Sequence, residues 1–305
     1  MRYFGNNIKM MVNDLAVSYT DQGEDDAHVI IFIHGFPLNK SSWNKQLDVL
    51  KENYRVIAYD IRGHGESESG TSAFSIERFV SDLLYFMDAL KIEKASLCGL
   101  SMGGYIALNA IENYPNRFES LVLSDTHCMG DSKKTIEKRL NSILTIKKKG
   151  IKQYAEESLK NLFAPESFTT KVSEIAAVKE MIVNTSEESL TKTLMALSIR
   201  EETCSLLHYI KIPTLILVGE HDIIAPSEVA SFMHEKIKNS MLHIIADAGH
   251  LSNLENPTEF NHQLIKFFGS VYKKQEVSSE DGSGSYLNQL WEQFNLLLFS
   301  KPIES

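Results

Sequence analysis

Nowhere does this 305-residue chain hold an apolar run long enough to cross a membrane. Such a span needs roughly 18 consecutive apolar residues, so none is expected. The first residues also lack the apolar stretch of a secretory leader. Basic residues are in deficit: 31 Lys and Arg stand against 40 Asp and Glu, for a net charge of −9. That balance argues against nucleic acid as a partner, because phosphate recognition needs a basic face. The short run Lys147-Lys148-Lys149 reads as a solvated helix face. Cysteine is scarce as well. Cys98, Cys128 and Cys204 form an odd set without regular spacing, which offers neither a disulfide framework nor a zinc-ligand pattern. Free thiols suit a reducing compartment, so the expected location is cytoplasmic. No internal repeat is found.

What is present is ordinary globular material, 43 % apolar and 23 % charged. Short apolar runs at 28–33, 55–59, 94–98, 120–123, 213–218 and 241–245 are each closed by Gly, Asp or Ser. Continuous runs of this length suit strands buried on both faces of a parallel sheet. A leading antiparallel hairpin is expected over 8–19, turning at Asn13-Asp14. Between the runs lie helical patterns. One over 75–90 places Ile76, Phe79, Val80, Leu83, Leu84 and Met87 on one face. Another over 102–113 is stopped by Pro115. Repeated strand–helix–strand units predict a doubly wound, mostly parallel α/β sheet.

The alternation breaks between about His127 and Ser205, where four helical patterns and no strand appear: 132–149, 151–163, 172–183 and 187–199. Thr185 and Glu188 form a candidate capping box for the last. An all-helical insert between the sixth and seventh strands predicts a lid over the sheet's C-terminal edge, where open α/β sheets bind ligands. The expected division is a core of 1–126 and 206–272, a helical lid of 127–205, a flexible Gly/Ser-rich linker of 273–285 and a C-terminal amphipathic helix in 286–305. From Tyr286 to Phe299 an apolar period resumes, and it suits a helix docked on the core or a dimer or partner contact. Its polar face has Glu292 and no Lys or Arg, which disfavours an anionic membrane.

The sharpest chemical signal is Gly99-Leu100-Ser101-Met102-Gly103-Gly104, placed after an apolar strand and before an apolar helix. A serine on such a tight turn projects its hydroxyl from the backbone, and glycines two positions either side relieve the crowding. A hydroxyl needs a base to take its proton. Among ten histidines, His250 is the best placed, in the loop after the last predicted strand. His127 is a candidate for the pocket wall. The imidazole needs a carboxylate to hold its tautomer. Asp222, just past the penultimate strand, is the candidate, with Glu220 and Asp125 as rivals. Oxyanion donors are expected from the backbone N–H of Met102 and of Phe36, in the His34-Gly35-Phe36-Pro37 loop. Pro37 has no N–H to give.

These segments, with Asp60-Ile61-Arg62-Gly63-His64-Gly65-Glu66-Ser67, Gly219–Asp222 and Gly249-His250, resemble the α/β-hydrolase superfamily in the right order over about 8–270. The resemblance is closest to lidded members related to 3-oxoadipate enol-lactonases, carboxylesterases and haloperoxidase-like perhydrolases. It implies a serine hydrolase acting on a small carboxylic ester, lactone or thioester, with Ser101, Asp222 and His250 as its triad and no cofactor or metal. It also implies that Arg62 and His64 are scaffold or pocket rim. Ser101 stands where related dehalogenases and epoxide hydrolases have aspartate, which points to acyl transfer. A carbon–carbon bond hydrolase or lyase on the same triad stays open, as does a ligand receptor retaining the fold. The residues that bind substrate are not legible at this level; Leu140, Leu144, Tyr154, Phe163 and Met195 are expected to pack the lid rather than line the pocket.

Overall fold

The structure is a computed structural model and describes residues 5–279. The chain divides into two compact units, 1–264 and 265–305. The sheet and the candidate site belong to the first. In the second, the described residues continue a helix that begins at Pro257.

One sheet contains β1 (Gly5–Val12), β2 (Leu15–Gln22), β3 (Val29–Ile33), β4 (Arg55–Tyr59), β5 (Ala95–Leu100), β6 (Phe118–Ser124), β7 (Thr214–Gly219) and β8 (Ser240–Ile245). Their spatial order is β1-β2-β4-β3-β5-β6-β7-β8. β2 pairs antiparallel with β1 and β4, and the other neighbours are parallel. Each expected run is therefore a strand, and the hairpin turns at Asn13, with φ 53°. β4, β5 and β7 are buried along their whole length, as continuous apolar runs require. β8 departs from this. It is the edge strand on the parallel side, and Met241 and Ile244 are exposed.

The helices on the sheet follow the sequence pattern. α1 (Asn44–Leu50) packs on β4. α2 (Ile76–Ala89) is capped by the Ser75 side chain, which accepts from Arg78 N–H, and it buries the six apolar residues predicted for its inner face. Each such side chain removed from water stabilises the fold by about 1.5–3 kcal/mol. α3 (Met102–Asn113) packs on β3, β5 and β6 and ends before Pro115.

Between β6 and β7 lie α4 (Lys133–Lys149), α5 (Ile151–Leu162), α6 (Ser167–Thr170), α7 (Val172–Asn184) and α8 (Glu187–Ser198). α6, a single turn, carries too short a pattern to be read from sequence. The cap of α8 also differs from expectation. Ser186, not Thr185, is the N-cap and accepts from Ser189 N–H, while the Thr185 hydroxyl donates back to Met181 O. Beyond the insertion come α9 (Ser227–Lys236), α10 (Ser252–Glu255) and α11 (Pro257–Ser279). α11 runs on through residues 273–279, where composition predicts a linker. The remaining linker and the stretch from Tyr286 to Phe299 lie outside the described residues.

The expectation of three free thiols is overturned. Cys128 and Cys204 form a disulfide across a separation of 76 residues, with Cα atoms 4.8 Å apart, and Cys98 is free and buried. Spacing along the chain holds no trace of this pair. It arises because β6 and β7 are neighbours, so the insertion must leave and rejoin the sheet at nearly the same place. The thiol argument for a reducing, cytoplasmic setting falls with it. Among the described residues, no helix is long and apolar enough to cross a membrane.

Candidate active site

β5 leads straight into the glycine-flanked serine. Ser101 adopts φ 51° and ψ −111°, a sparsely populated conformation that costs on the order of 1–3 kcal/mol for a non-glycine residue. Backbone bonds hold it there: its N–H donates to Ser124 O at 2.9 Å, and its C=O accepts from Gly104 N–H and the Thr126 hydroxyl, both at 2.8 Å. Gly103 is needed for close approach. A Cβ on it would lie 2.1 Å from Ile33 O, so only glycine lets the first turn of α3 pass β3 this closely. The hydroxyl is thereby presented at the C-terminal edge of the sheet, beside the positive end of α3.

His250 and Asp222 reach the same edge from the loops after β8 and β7. A Cβ on Gly219 would lie 2.0 Å from Gly249 O, so these loops touch through their backbones. Asp222 Oδ1 accepts from the N–H groups of Ile224 and Ala225 at 2.8 and 3.0 Å. Asp222 Oδ2 accepts from His250 Nδ1 at 2.8 Å. That fixes the tautomer and leaves Nε2 as the acceptor for the Ser101 hydroxyl, at 2.9 Å. Asp222 is 4 % exposed and His250 3 %. Burial disfavours both charges, but each is outweighed by the other's charge and hydrogen bond. The His250 pKa is raised above that of a free imidazole, helped by Asp125 and Glu255. The Asp222 pKa is lowered, helped by its two backbone donors.

The rival carboxylates stand elsewhere. Glu220 is exposed and accepts from Asp247 N–H. Asp125 is buried and takes no hydrogen bond from His250; its donors are Gly219, Ser124 and Ser252. Arg62 is scaffold. Its guanidinium is buried and donates to Asp82, Asp14 and the Ser69 carbonyl. His64 is buried with Nδ1 on Arg62 O. His34 accepts from Ile61 N–H at Nε2, and Nδ1–H donates to Gly35 O. Burial lowers the pKa of both rings, so they are neutral braces for the loops. His127 sits behind the pocket wall, with Nε2 on the Tyr105 hydroxyl at 3.1 Å. Burial and the nearby Arg200 push it down to about 4.

Ser101 and His250 open into a cavity of about 620 Å³, which Phe36 and Met102 also line. Met102 is the first residue of α3, where a backbone N–H has no partner within the helix. The apolar part of the lining includes Leu162, Leu194, Leu197, Ile223 and Ile224. The lining that α4 supplies is polar, with Thr135, Lys138, Arg139, Asn141, Ser142 and Thr145. Of the aromatic and apolar residues expected to pack the insertion, Phe163 is buried, and Tyr154 is buried and also lines the cavity. Leu140, Leu144 and Met195 are exposed instead and border a separate groove with Phe74. The reason is that α4 turns its polar stripe, not its apolar one, toward the site.

Two neighbours of the site escaped the sequence reading. Arg200 lies 4.1 Å above the Tyr105 ring and ion-pairs with Asp131, which also holds Arg139. Glu255 is buried and accepts from Gly249 N–H at 2.8 Å on one oxygen, and from Ala164 N–H and the Ser167 hydroxyl on the other. It ties the insertion to the residue before His250. No local motif marks either residue, because their partners lie 69 and 91 positions away. Among the described residues, Glu220, His221 and Asp247 bring one ligand atom each within 4.8 Å of one another. All three are exposed and none lines the cavity, so no cofactor role is read from them.

Comparison with known proteins agrees with this architecture. The sequence profile of the alpha/beta hydrolase fold family matches residues 28–257, and the chain belongs to that family. A 3-oxoadipate enol-lactonase from Acinetobacter baylyi is 26 % identical over 255 residues, 84 % of this chain and 94 % of that protein. A thermophilic esterase from Thermogutta terrifontis superposes with a TM-score of 0.82 at 29 % identity, covering 87 % of this chain and 98 % of the other. The enol-lactonase of Burkholderia xenovorans gives 0.80 at 26 %, covering 86 % and 100 %. Relatives of this kind support a hydrolase enzyme.

Proposed function

We propose that the chain hydrolyses a small carboxylic ester, lactone or thioester through an acyl-enzyme, with the insertion over 127–205 acting as a lid. Ser101 is the nucleophile, His250 the base, and Asp222 the group that orients the base. As Ser101 Oγ bonds to the substrate carbonyl carbon, its proton passes to His250 Nε2. Asp222 stabilises the imidazolium. The N–H groups of Phe36 and Met102 receive the oxyanion. The proton then goes to the leaving alkoxide or thiolate as its bond to carbon breaks, leaving Ser101 acylated. Water, deprotonated by His250, attacks the acyl carbon, and His250 passes that proton to Ser101 Oγ as its bond to carbon breaks, releasing the acid and free Ser101.

The observation that carries this reading is the pair of hydrogen bonds, 2.8 and 2.9 Å, joining Asp222 Oδ2 through His250 to Ser101 Oγ. Ester and lactone chemistry is favoured because relatives similar over most of the chain are an enol-lactonase and an esterase. The test is turnover of short p-nitrophenyl esters and a panel of lactones. Ser101→Ala is expected to lower kcat by roughly 10⁴ or more, as in other triads. A serine-directed fluorophosphonate is expected to label Ser101 alone. Near-normal rates in the variant, or labelling elsewhere, would refute the assignment. Saturable ligand binding without turnover would instead identify a receptor.

A further inference from the structure

Behind the three reacting groups lies a buried carboxylate to which the acyl-transfer steps give no part. Asp125 follows β6 directly, is 0 % exposed and has φ 47°. Its Oδ1 accepts from Gly219 N–H at 2.8 Å. Its Oδ2 accepts from the Ser124 hydroxyl at 2.7 Å and the Ser252 hydroxyl at 2.6 Å. Gly219 ends β7, just before the loop that carries Asp222, and Ser252 opens α10, just after His250. A single carboxylate thus grips both arms of the Asp222–His250 pair and anchors them to the strand beside Ser101. The left-handed backbone at a non-glycine residue marks a position that the surroundings impose. The full set of donors is what a buried carboxylate needs to stay folded in.

We propose that Asp125 is a positioning residue for the reaction, holding the Asp222 and His250 loops in place and, when ionised, adding a second negative charge that stabilises the His250 imidazolium. The proposal rests on the roles given above to Ser101, Asp222 and His250. Burial, with the Asp222 charge next, pushes the Asp125 carboxyl up to about 7 against the pull of His250, Ser252 and Ser124. The other groups that face the imidazole are Asp222 from the β7 loop, Glu255 from α10, Ser101 at the start of α3, and His127 at the start of the insertion.

The experiment uses the full chain with Asp125→Asn. Asparagine has the same shape, tolerates a left-handed φ and keeps an acceptor for Gly219 N–H, but lacks the charge. Steady-state rates on a p-nitrophenyl ester are measured across pH, beside Ser101→Ala. With one fewer negative charge nearby, His250 gives up its proton more readily. The acid limb of kcat/KM should therefore move to lower pH, with kcat down roughly ten- to a hundredfold and KM little changed. A residue with a merely structural role would not move the limb. Ser252→Ala, which loosens one arm and leaves the carboxylate, should give a smaller fall in kcat at unchanged KM. A folded Asp125→Asn with wild-type kcat and an unmoved limb overturns the proposal, as does wild-type kinetics in Ser252→Ala if Asp125→Asn cannot be folded. If Ser101→Ala stays active, it is the triad assignment that fails instead.

Discussion

Arg62 is a motif residue whose bonds all run to the scaffold. Its guanidinium is buried, with Nε and Nη2 donating to Asp82 at 2.8 Å and Nη2 also to Asp14 at 2.7 Å. The hydrogen bond from Arg62, outweighing the cost of burial, holds the Asp14 carboxyl well below the usual carboxylate range. Removing one partner of a buried pair strands the other, which costs about 3–5 kcal/mol. An exposed pair such as Lys192–Glu188 is worth only about 0.2–1 kcal/mol. Arg62→Met should therefore lower stability in urea unfolding by about 3–5 kcal/mol, and a loss within the exposed-pair range would show that Asp82 finds solvent or another donor. From sequence, Arg62 was readable as belonging to a structural loop, but its two acidic partners, 20 and 48 residues away, were not. Asp125 is the same case. Its place after a strand made it a rival to Asp222, and only the folded chain shows that its donors are Gly219, Ser124 and Ser252 rather than His250.

The strand–turn–helix unit around Ser101 was legible because its constraints are local. An apolar strand, glycines at fixed offsets and an apolar helix all lie within one short segment. The tolerance of the turn can be tested directly. Gly103→Ala puts a Cβ 2.1 Å from Ile33 O and 2.8 Å from Ile33 C, which are backbone atoms that cannot swing aside. Overpacking of this kind costs about 1–3 kcal/mol, and the shift in α3 should also lower kcat by displacing Ser101 and the Met102 N–H. Thermal melting and esterase rates on the same preparation check both, and an unaffected kcat would show that the turn adapts without moving the hydroxyl. The helices of the insertion were also visible, since the 3.6-residue period is local. Their facing was not. α4 has an apolar stripe, yet Leu140 and Leu144 are exposed while Lys138, Arg139 and Asn141 line the cavity. Amphipathicity says that a helix has two faces; packing decides which one lines the cavity.

For the molecule as a whole, the insertion is tied at its neck. The Cys128–Cys204 bridge, the Thr203 N–H to Cys128 O bond of 2.8 Å and the Arg200 donation to Met129 O all join its first and last residues. Glu255 fastens its middle, at Ala164 and Ser167, to the loop of His250. A cross-link closing a loop of this length restricts the unfolded chain, and the Cys128→Ser/Cys204→Ser double variant should lose roughly 2–4 kcal/mol. Thiol titration of the unreduced, denatured protein should find one reactive group, Cys98. Three would mean that the bridge does not form in solution.

Sequence alone determined the alternation of strands and helices, the place of the helical insertion and the identity of Ser101, Asp222 and His250 as candidates. Those signals are carried by neighbours along the chain: apolar periodicity, glycine spacing, and a polar residue directly after a strand. Tertiary structure decided what depends on distant segments meeting. It paired Cys128 with Cys204, gave Arg62 its carboxylates, bound Asp125 to Gly219 and Ser252 and chose the polar side of α4 as a cavity wall. No local pattern encodes such contacts, because their energy exists only once the sheet has brought its loops to one edge.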